Sequence, residues 1–319
     1  MIFGLIQQLR RNGVIGLNKR NADYVLPYNE RRYYPLVDDK ILTKEIAERV
    51  GIGVPTLYGK IECPHEAVNF PDMVANRTEF VVKPAHGAGG DGILVVVGRT
   101  GDRFRLADGT TLSEEDIVFH INNIMGGAYS LGGQPDKALV EYCVHFDPVF
   151  EHVTYSGVPD VRIIVFMGVP VMAMVRLPTR VSKGKANLHQ GAIGAGVSIT
   201  NGHTLTAVLK NSIVEEHPDT NAPVMGVEIP SWDTLLEMAA RSRELTHLGF
   251  QGIDVVLDKD RGPLLLEINA RPGLNIQIAN REGLRHRLDA VSANIDKLES
   301  VADRIDFAKE RFEPRPISP

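Results

Sequence analysis

GIDVVLDKDRGPLLLEINARPG, residues 252–273, holds two apolar runs separated by a charged turn. The runs Ile253–Leu257 and Leu264–Ile268 have strand length, and the intervening DKDRG has turn chemistry, so the stretch predicts a β-hairpin. Side chains two apart on a strand share a face, which puts Glu267 and Asn269 on one side of the sheet. Asp254 lies opposite them if the turn closes near Asp258–Gly262. Three oxygen donors then converge on an otherwise apolar hairpin. Burying Glu267 between Leu266 and Ile268 without a cation is costly. Mg²⁺ takes hard oxygen ligands, commonly one or two carboxylates with nucleotide phosphates and water. The expected metal ligands are Asp254, Glu267 and Asn269. Neutralisation of Glu267 by Arg271 is the alternative; the third donor favours the metal and frees Arg271 to face a phosphate.

Upstream, VVKPAHGAGGDGILVVV (residues 81–97) carries Gly87, Gly89, Gly90 and Gly92. A dinucleotide fingerprint needs a helix after its glycines, so that a pyrophosphate rests on the helix N-terminus. Here a β-run follows, and no Gly-Lys-Ser/Thr closes the loop. What remains is a glycine-rich turn between strands. It can fold over phosphates and offer unobstructed backbone N–H groups, or it is a long flexible hairpin. Lys83 shifts the reading toward phosphates, because it ends an apolar strand just before the loop. A strand-end lysine in solvent is the alternative.

The other segments give the architecture. Residues 40–50 predict a helix with Asp38 and Asp39 at its N-terminal dipole, a Leu42/Ile46/Val50 stripe, and Gly51 as its end. Short strands are expected at 79–83, 93–97 and 138–142. Hairpins are expected at 104–112 across Asp108-Gly109 and at 161–177 across Gly168-Val169-Pro170. Helices are expected at 231–248, with Ser231 as N-cap and Gly249 as stop, and at 282–300. Hairpins outnumber strand–helix alternation, which points to α+β lobes around antiparallel sheets. The division is an arm at 1–36, an N-terminal lobe at 37–142, a C-terminal lobe at 143–300 and a loose tail at 301–319.

The arm is basic and aromatic, with Arg10, Arg11, Lys19, Arg20, Arg31 and Arg32 among four tyrosines. It lies on the main body, or it faces an acidic acceptor or a protein partner. Over the whole chain of 319 residues, 43% are hydrophobic and 24% charged, an ordinary globular balance. A net charge of −5 gives no reason to expect a nucleic-acid partner. Cys63 and Cys143 stand apart, as in a reducing compartment. The N-terminus has arginines after its apolar run, the wrong order for a secretory signal, and no run suffices for a membrane span. The expectation is a cytoplasmic protein; a homo-oligomer is left open.

Together these residues resemble the ATP-grasp superfamily. Lys40 in VDDK, Lys83 in VVKP, the loop HGAGGDG, the linker LVEYCV and Asp254/Glu267/Asn269 occur in the family's order. Within it the chain looks most like the ribosomal-protein glutamate ligase (RimK-type) branch and the alpha-L-glutamate ligase-like proteins, through DVRIIVFMGVPVMAMVR, GLNKRNADYVLPYN, DDKILTK, KANLHQGAIGAGV and EEHPDTNAPV. One departure is clear: Lys40 comes after only 39 residues, where most members carry a full substrate-binding domain before the first ATP lysine.

The resemblance implies a two-lobed fold that clasps ATP with one or two Mg²⁺, Mn²⁺ being the alternative cation. It implies that Lys40 and Lys83 contact the phosphates, with Lys83 also near the adenine, that Gly87–Gly92 cover the phosphates, and that His86 belongs to the same cofactor-binding set. Glu141, Tyr142 and Val144 would frame adenine, with Glu141 accepting from its amine and the Val144 N–H donating, and Asp147 would reach the ribose. Glu267 would bridge the metals. Arg176, Lys185, Asn187 and Arg271 would act on the γ-phosphate and the activated carboxylate, and Arg162 and His189 would contact substrate. The implied activity is ligation of a carboxylate donor to an amine acceptor through an acyl phosphate, with glutamate the first candidate. Two alternatives use the same ATP residues: phosphotransfer linked to cell-surface polymer or sugar transfer, and a non-catalytic ATP-binding partner.

Overall fold

The computed structural model describes residues 2–313 apart from Ala88 and Asn211. Five helices come first: α1 (Ile2–Arg11), α2 (Leu17–Arg20), α3 (Leu26–Tyr28), α4 (Pro35–Asp38) and α5 (Lys40–Arg49). The first sheet contains β1 (Leu57–Ile61), β2 (Phe80–Pro84), β3 (Leu94–Thr100), β4 (Arg103–Leu106), β5 (Thr111–Leu112) and β6 (Ala138–Glu141). Their spatial order is β1-β6-β2-β3-β4-β5, antiparallel throughout. Between these strands the chain forms α6 (Phe70–Val74) and α7 (Glu114–Met125). Ser113 and Asp116 form a reciprocal capping box at the start of α7, and Ile117, Ile121 and Ile124 give it the apolar stripe it buries with Phe70, Phe80 and Phe104.

The second sheet contains β7 (Asp160–Phe166), β8 (Val169–Leu177), β9 (Ile193–Val197), β10 (Thr204–Leu209), β11 (Ser212–Val214), β12 (Phe250–Asp258) and β13 (Gly262–Asn269). Its order is β11-β10-β9-β8-β7-β12-β13, again antiparallel. Helices α8 (Trp232–Thr246), α9 (Ile276–Ala279), α10 (Arg285–Ser292) and α11 (Val301–Arg311) pack with it. Strands β7, β8 and β12 are almost wholly buried, which is why they read as continuous apolar runs rather than alternating ones. The arm belongs to this second core, where Ile15, Tyr24, Val25 and Val37 are buried. Gly283 makes room for it: a side chain there would fall on the backbone of Gly13 and Val14.

Several local expectations need correction. The tail expected to be loose from 301 is helical through Arg311, because Ser300 and Asp303 cap α11; residues 314–319 lie outside the described residues. The single helix expected at 282–300 is α10 plus a separate turn at Ile295–Lys297. Helix α8 ends at His247 in a left-handed conformation, before Gly249, and Ser231 precedes α8 without a side-chain cap bond. The β7–β8 turn closes at Met167-Gly168, and Pro170 lies inside β8 opposite Val165, where a bulge absorbs it. On α5 the buried face is Ile41, Lys44 and Ala47, whereas Leu42 and Ile46 are half-buried and Val50 is exposed. Among the described residues no helix is long and apolar enough to cross a membrane.

Candidate functional site

Strand β2 lies beside β6, with Val81 opposite Glu141, so Lys83 and Glu141 are diagonal neighbours on one face. Lys83 Nζ is 2.5 Å from Glu141 Oε1, and Lys44 Nζ of α5 is 2.8 Å from Oε2. Lys83 is 6% exposed, so it is no solvent-facing strand end, and Glu141 is 3% exposed. The Glu141 carboxylate, expected to face an adenine amine, lies here between two lysines. Burial would raise the Glu141 carboxyl, but Lys83 and Lys44 outweigh it and keep it below the usual range.

Lys44 was not among the expected site residues. It also donates to Pro55 O (2.7 Å). Burial pushes its ammonium down to about 8, with Glu141 opposing the shift. An unfolded lysine titrates near 10.4, so between about pH 8 and 10 the unfolded chain keeps a proton the folded chain has lost. Raising pH through that window therefore favours the fold. We expect the wild type to gain stability relative to Lys44→Met between about pH 7.5 and 9.5. Urea midpoints at both pH values check this; an unchanged gap would mean Lys44 stays charged.

Lys40 opens α5 behind its N-cap Asp39, whose carboxylate accepts from Ile41 N and Leu42 N. Lys40 Nζ donates to Gly87 O (2.8 Å) and Ala85 O (3.3 Å), and stands 3.9 Å from Glu267 Oε2. His86 is fixed by buried Asp136, which accepts from its backbone N and its ring Nδ1 (2.7 Å). The linker after β6 is tied to the hairpin: His145 N donates to Asp258 Oδ2 (2.9 Å) and Asp147 N to Leu257 O (2.9 Å). Arg261 stacks 3.6 Å over Tyr142. Val144 is half-buried on this linker. The Asp147 carboxylate, expected near a ribose, accepts from Val149 N through Oδ1 and caps its own turn.

Gly89, Gly90 and Gly92 all take positive φ, which glycine alone adopts freely. The loop is held from behind by His120: Gly92 O can only accept, so His120 Nε2 carries the hydrogen and donates to it (2.9 Å). In front, the loop meets the second lobe. Asp91 pairs with Lys185 (2.9 Å), Gln190 Nε2 donates to Gly89 O (3.4 Å), and a side chain on Gly89 would lie 3.8 Å from Asn187 Nδ2. Lys185 and Asn187 are thus brought to the glycine loop as expected from sequence. The exposed Asp91–Lys185 pair is weak enough to open for a ligand. A pocket of about 480 Å³ lies here, lined by the loop, Tyr129, Ser130 and Lys185. His189 is exposed on the turn beyond Asn187.

The hairpin register pairs Asp254 with Glu267 directly, with Asn269 two residues on and the turn at Asp258–Gly262. On its other edge β12 meets β7, which pairs Asp254 with Arg162. Arg162 donates to both Asp254 oxygens (Nε–Oδ1 2.7 Å), and Arg176 Nη2 donates to Asp254 Oδ2 (2.8 Å) while its guanidinium also engages Asp160. In this structure both guanidiniums lie on protein carboxylates, Arg162 on Asp254 and Arg176 on Asp160 and Asp254. Burial alone would raise Asp254, but the two guanidiniums hold its carboxyl well below the usual range. Asn269 Nδ2 lies 3.2 Å from Glu267 Oε1 and 3.4 Å from Asp254 Oδ2, while the Glu267 side chain is 35% exposed. Two carboxylates and an amide are the donor chemistry of Mg²⁺, and Mn²⁺ accepts the same oxygens. The residues therefore fit such an ion, with Glu267 and Asn269 toward the cleft and Asp254 behind them. Arg271 lies over the Tyr34 ring (5.3 Å) rather than on Glu267.

Away from this cleft, Cys63 Sγ lies 3.6 Å from His65 Nε2 with Glu66 close by, a grouping not foreseen from sequence.

A family model described as sugar-transfer associated ATP-grasp matches residues 19–293. A probable alpha-L-glutamate ligase of Pseudomonas putida (strain GB-1) is 23% identical over 250 residues, covering 78% of this chain and 61% of the relative. One from Pseudomonas fluorescens (strain SBW25) is 24% identical over the same shares. The chain thus spans about three-fifths of the length of these curated relatives. Among solved structures, ATP-grasp ligase PsnB complexed with minimal precursor, Mg and ADP matches with a TM-score of 0.45 at 16% identity, over 84% of this chain and 62% of that one. D-alanine–D-alanine ligase from Bacillus anthracis complexed with ATP matches with a TM-score of 0.43 at 14% identity, over 88% and 68%.

Proposed function

This chain belongs to the sugar-transfer associated ATP-grasp family, and from that premise we propose that it binds Mg-ATP between its two sheets and activates a carboxylate for ligation to an amine. The family agrees with the α+β, RimK-like reading of the sequence. The observation that carries the proposal is the opposition of Lys40 and Glu267 across the cleft, 3.9 Å apart. A cation able to hold phosphate beside a carboxylate able to hold a metal supports the Mg-ATP reading.

In this reading Lys40 and Lys83 hold phosphate oxygens, and the glycine loop covers them with backbone N–H groups. Asp254, Glu267 and Asn269 hold Mg²⁺, which when bound screens the charge of the β- and γ-phosphates. A substrate carboxylate oxygen attacks the γ-phosphorus; the bond from phosphorus to the ADP oxygen breaks, giving an acyl phosphate and ADP. The amine nitrogen then attacks the acyl carbon, phosphate leaves, and the nitrogen loses a proton to give an amide. Arg271, with no protein carboxylate partner among the described residues, receives the substrate carboxylate. Lys185 and Asn187 close the site from the second lobe, which keeps water from the acyl phosphate.

The curated relatives' name supports glutamate as the first substrate to test. The family description, sugar-transfer associated, is the ground for a second reading, in which the acceptor is sugar-containing and the reaction a phosphotransfer. One experiment separates them. The protein is incubated with Mg-ATP, hydroxylamine and pools of carboxylates, and ADP and hydroxamate masses are read. A hydroxamate with ADP supports ligation; ADP with a stable phosphorylated product supports phosphotransfer. Neither, despite measurable ATP binding, would overturn both in favour of a non-catalytic role.

A further inference from the structure

The carbonyls of Ala270, Arg271 and Pro272 follow directly on Asn269, the last oxygen donor of the hairpin. All three are taken by side chains of the N-terminal arm. Asn29 Nδ2 donates to Ala270 O (3.0 Å) and to Phe250 O (2.7 Å), and Asn29 Oδ1 accepts from Phe250 N (2.9 Å). Arg20 Nη1 donates to Pro272 O (2.7 Å) and Arg271 O (3.2 Å). Both side chains are buried, Asn29 to 3% exposure and Arg20 to 7%. Asn29 therefore ties the first residue of β12 to the residue just after β13, at the open end of the hairpin. Further along the arm, Tyr34 underlies the Arg271 guanidinium, α4 packs on β13, and Asp39 caps the helix that Lys40 opens. One continuous segment thus carries the clamps of the carboxylate hairpin at one end and the lysine facing it at the other.

An apolar contact would tether an arm as firmly, without burying an amide and a guanidinium. What these groups add is direction. Hydrogen bonds to three consecutive carbonyls fix the peptide planes after Asn269, and those planes set where the Asn269 amide and the Arg271 guanidinium point.

We propose that Arg20 and Asn29 are positioning residues that orient Asn269 toward the nucleotide-bound cation and Arg271 toward the substrate anion, so that the arm is a working wall of the site. This rests on the Mg-nucleotide reading above. The test is calorimetric titration of the full chain with ADP, with the metal chelated and over a range of Mg²⁺ concentrations. In Asn29→Ala and Arg20→Met, the Mg²⁺ concentration that half-maximally tightens ADP binding should rise about tenfold or more, as for other groups that orient metal ligands. Metal-free ADP affinity should stay within about twofold, because Lys40 and Lys83 are intact. Arg32→Ala, at an exposed arm position, should match the wild type. Should Asn29→Ala fail to fold, Arg20→Lys carries the test, since it keeps the charge and reaches fewer carbonyls. An unchanged Mg²⁺ midpoint in the folded variants, or equal losses with and without metal, overturns the positioning role while leaving the function standing. A wild type whose ADP binding ignores Mg²⁺ overturns the Mg-nucleotide reading and this inference with it.

Discussion

Glu267→Gln lowers ADP release by on the order of 10²–10³-fold and leaves the fold in place, if the hairpin holds the metal as proposed. The charge balance behind it explains why the effect centres on this residue. Asp160 and Asp254 bring two negative charges to the second sheet, and Arg162 and Arg176 bring two positive ones that touch them. That cluster is neutral by itself. Glu267 is the remaining carboxylate of the hairpin's ligand set, and among the described residues its one cationic contact is Lys40 at 3.9 Å. A cation joining the site takes its charge from Glu267, and glutamine supplies none. The fold has little at stake, because Glu267 is partly exposed and glutamine keeps an oxygen to accept from Asn269; a surface-like change of this kind stays within about 0.5 kcal/mol. Rates of ADP release set beside thermal midpoints check both halves. Near-normal turnover in a folded variant would sink the metal assignment.

Much of this geometry was legible in the sequence where local pattern governs it. The hairpin register followed from two apolar runs and a turn of charged residues and glycine, and Asp254 does face Glu267. Lys83 was placed by the glycines after it. The failures share a cause: the deciding partner is remote. The ion pairs of Arg162 and Arg176 with Asp254 went unforeseen, because they depend on β7 adjoining β12, a pairing of strands about 90 residues apart with no local trace. The stripe on α5 was misread because its buried face includes a lysine, whose counter-charge Glu141 stands almost 100 residues on. Arg20 and Asn29 likewise find their acceptors more than 200 residues away. The start of α11 is different, since Ser300 and Asp303 spell a capping signal that was there to be used.

The buried lysines give the largest stability effect. Glu141→Leu is expected to cost about 3–5 kcal/mol, since it leaves Lys44 and Lys83 close together with no counter-charge. A single glutamate already serves two ammonium groups, so the cluster carries a net positive charge in the free protein. Its surplus is what a phosphate would neutralise. Adding Lys44→Met to Glu141→Leu should therefore restore part of the loss, because one buried charge goes and Lys83 is left at the cleft. ADP should stabilise Glu141→Leu more than the wild type, as the phosphates replace the missing carboxylate. Urea unfolding of the four proteins of this cycle, with and without ADP, gives the coupling between Glu141 and Lys44 and its response to ligand. A loss below about 1 kcal/mol would mean the lysines find other compensation. A loss of the expected size that ADP does not relieve would mean that Lys83 faces the protein rather than the nucleotide, and would move the phosphate site toward Lys40 and the glycine loop alone.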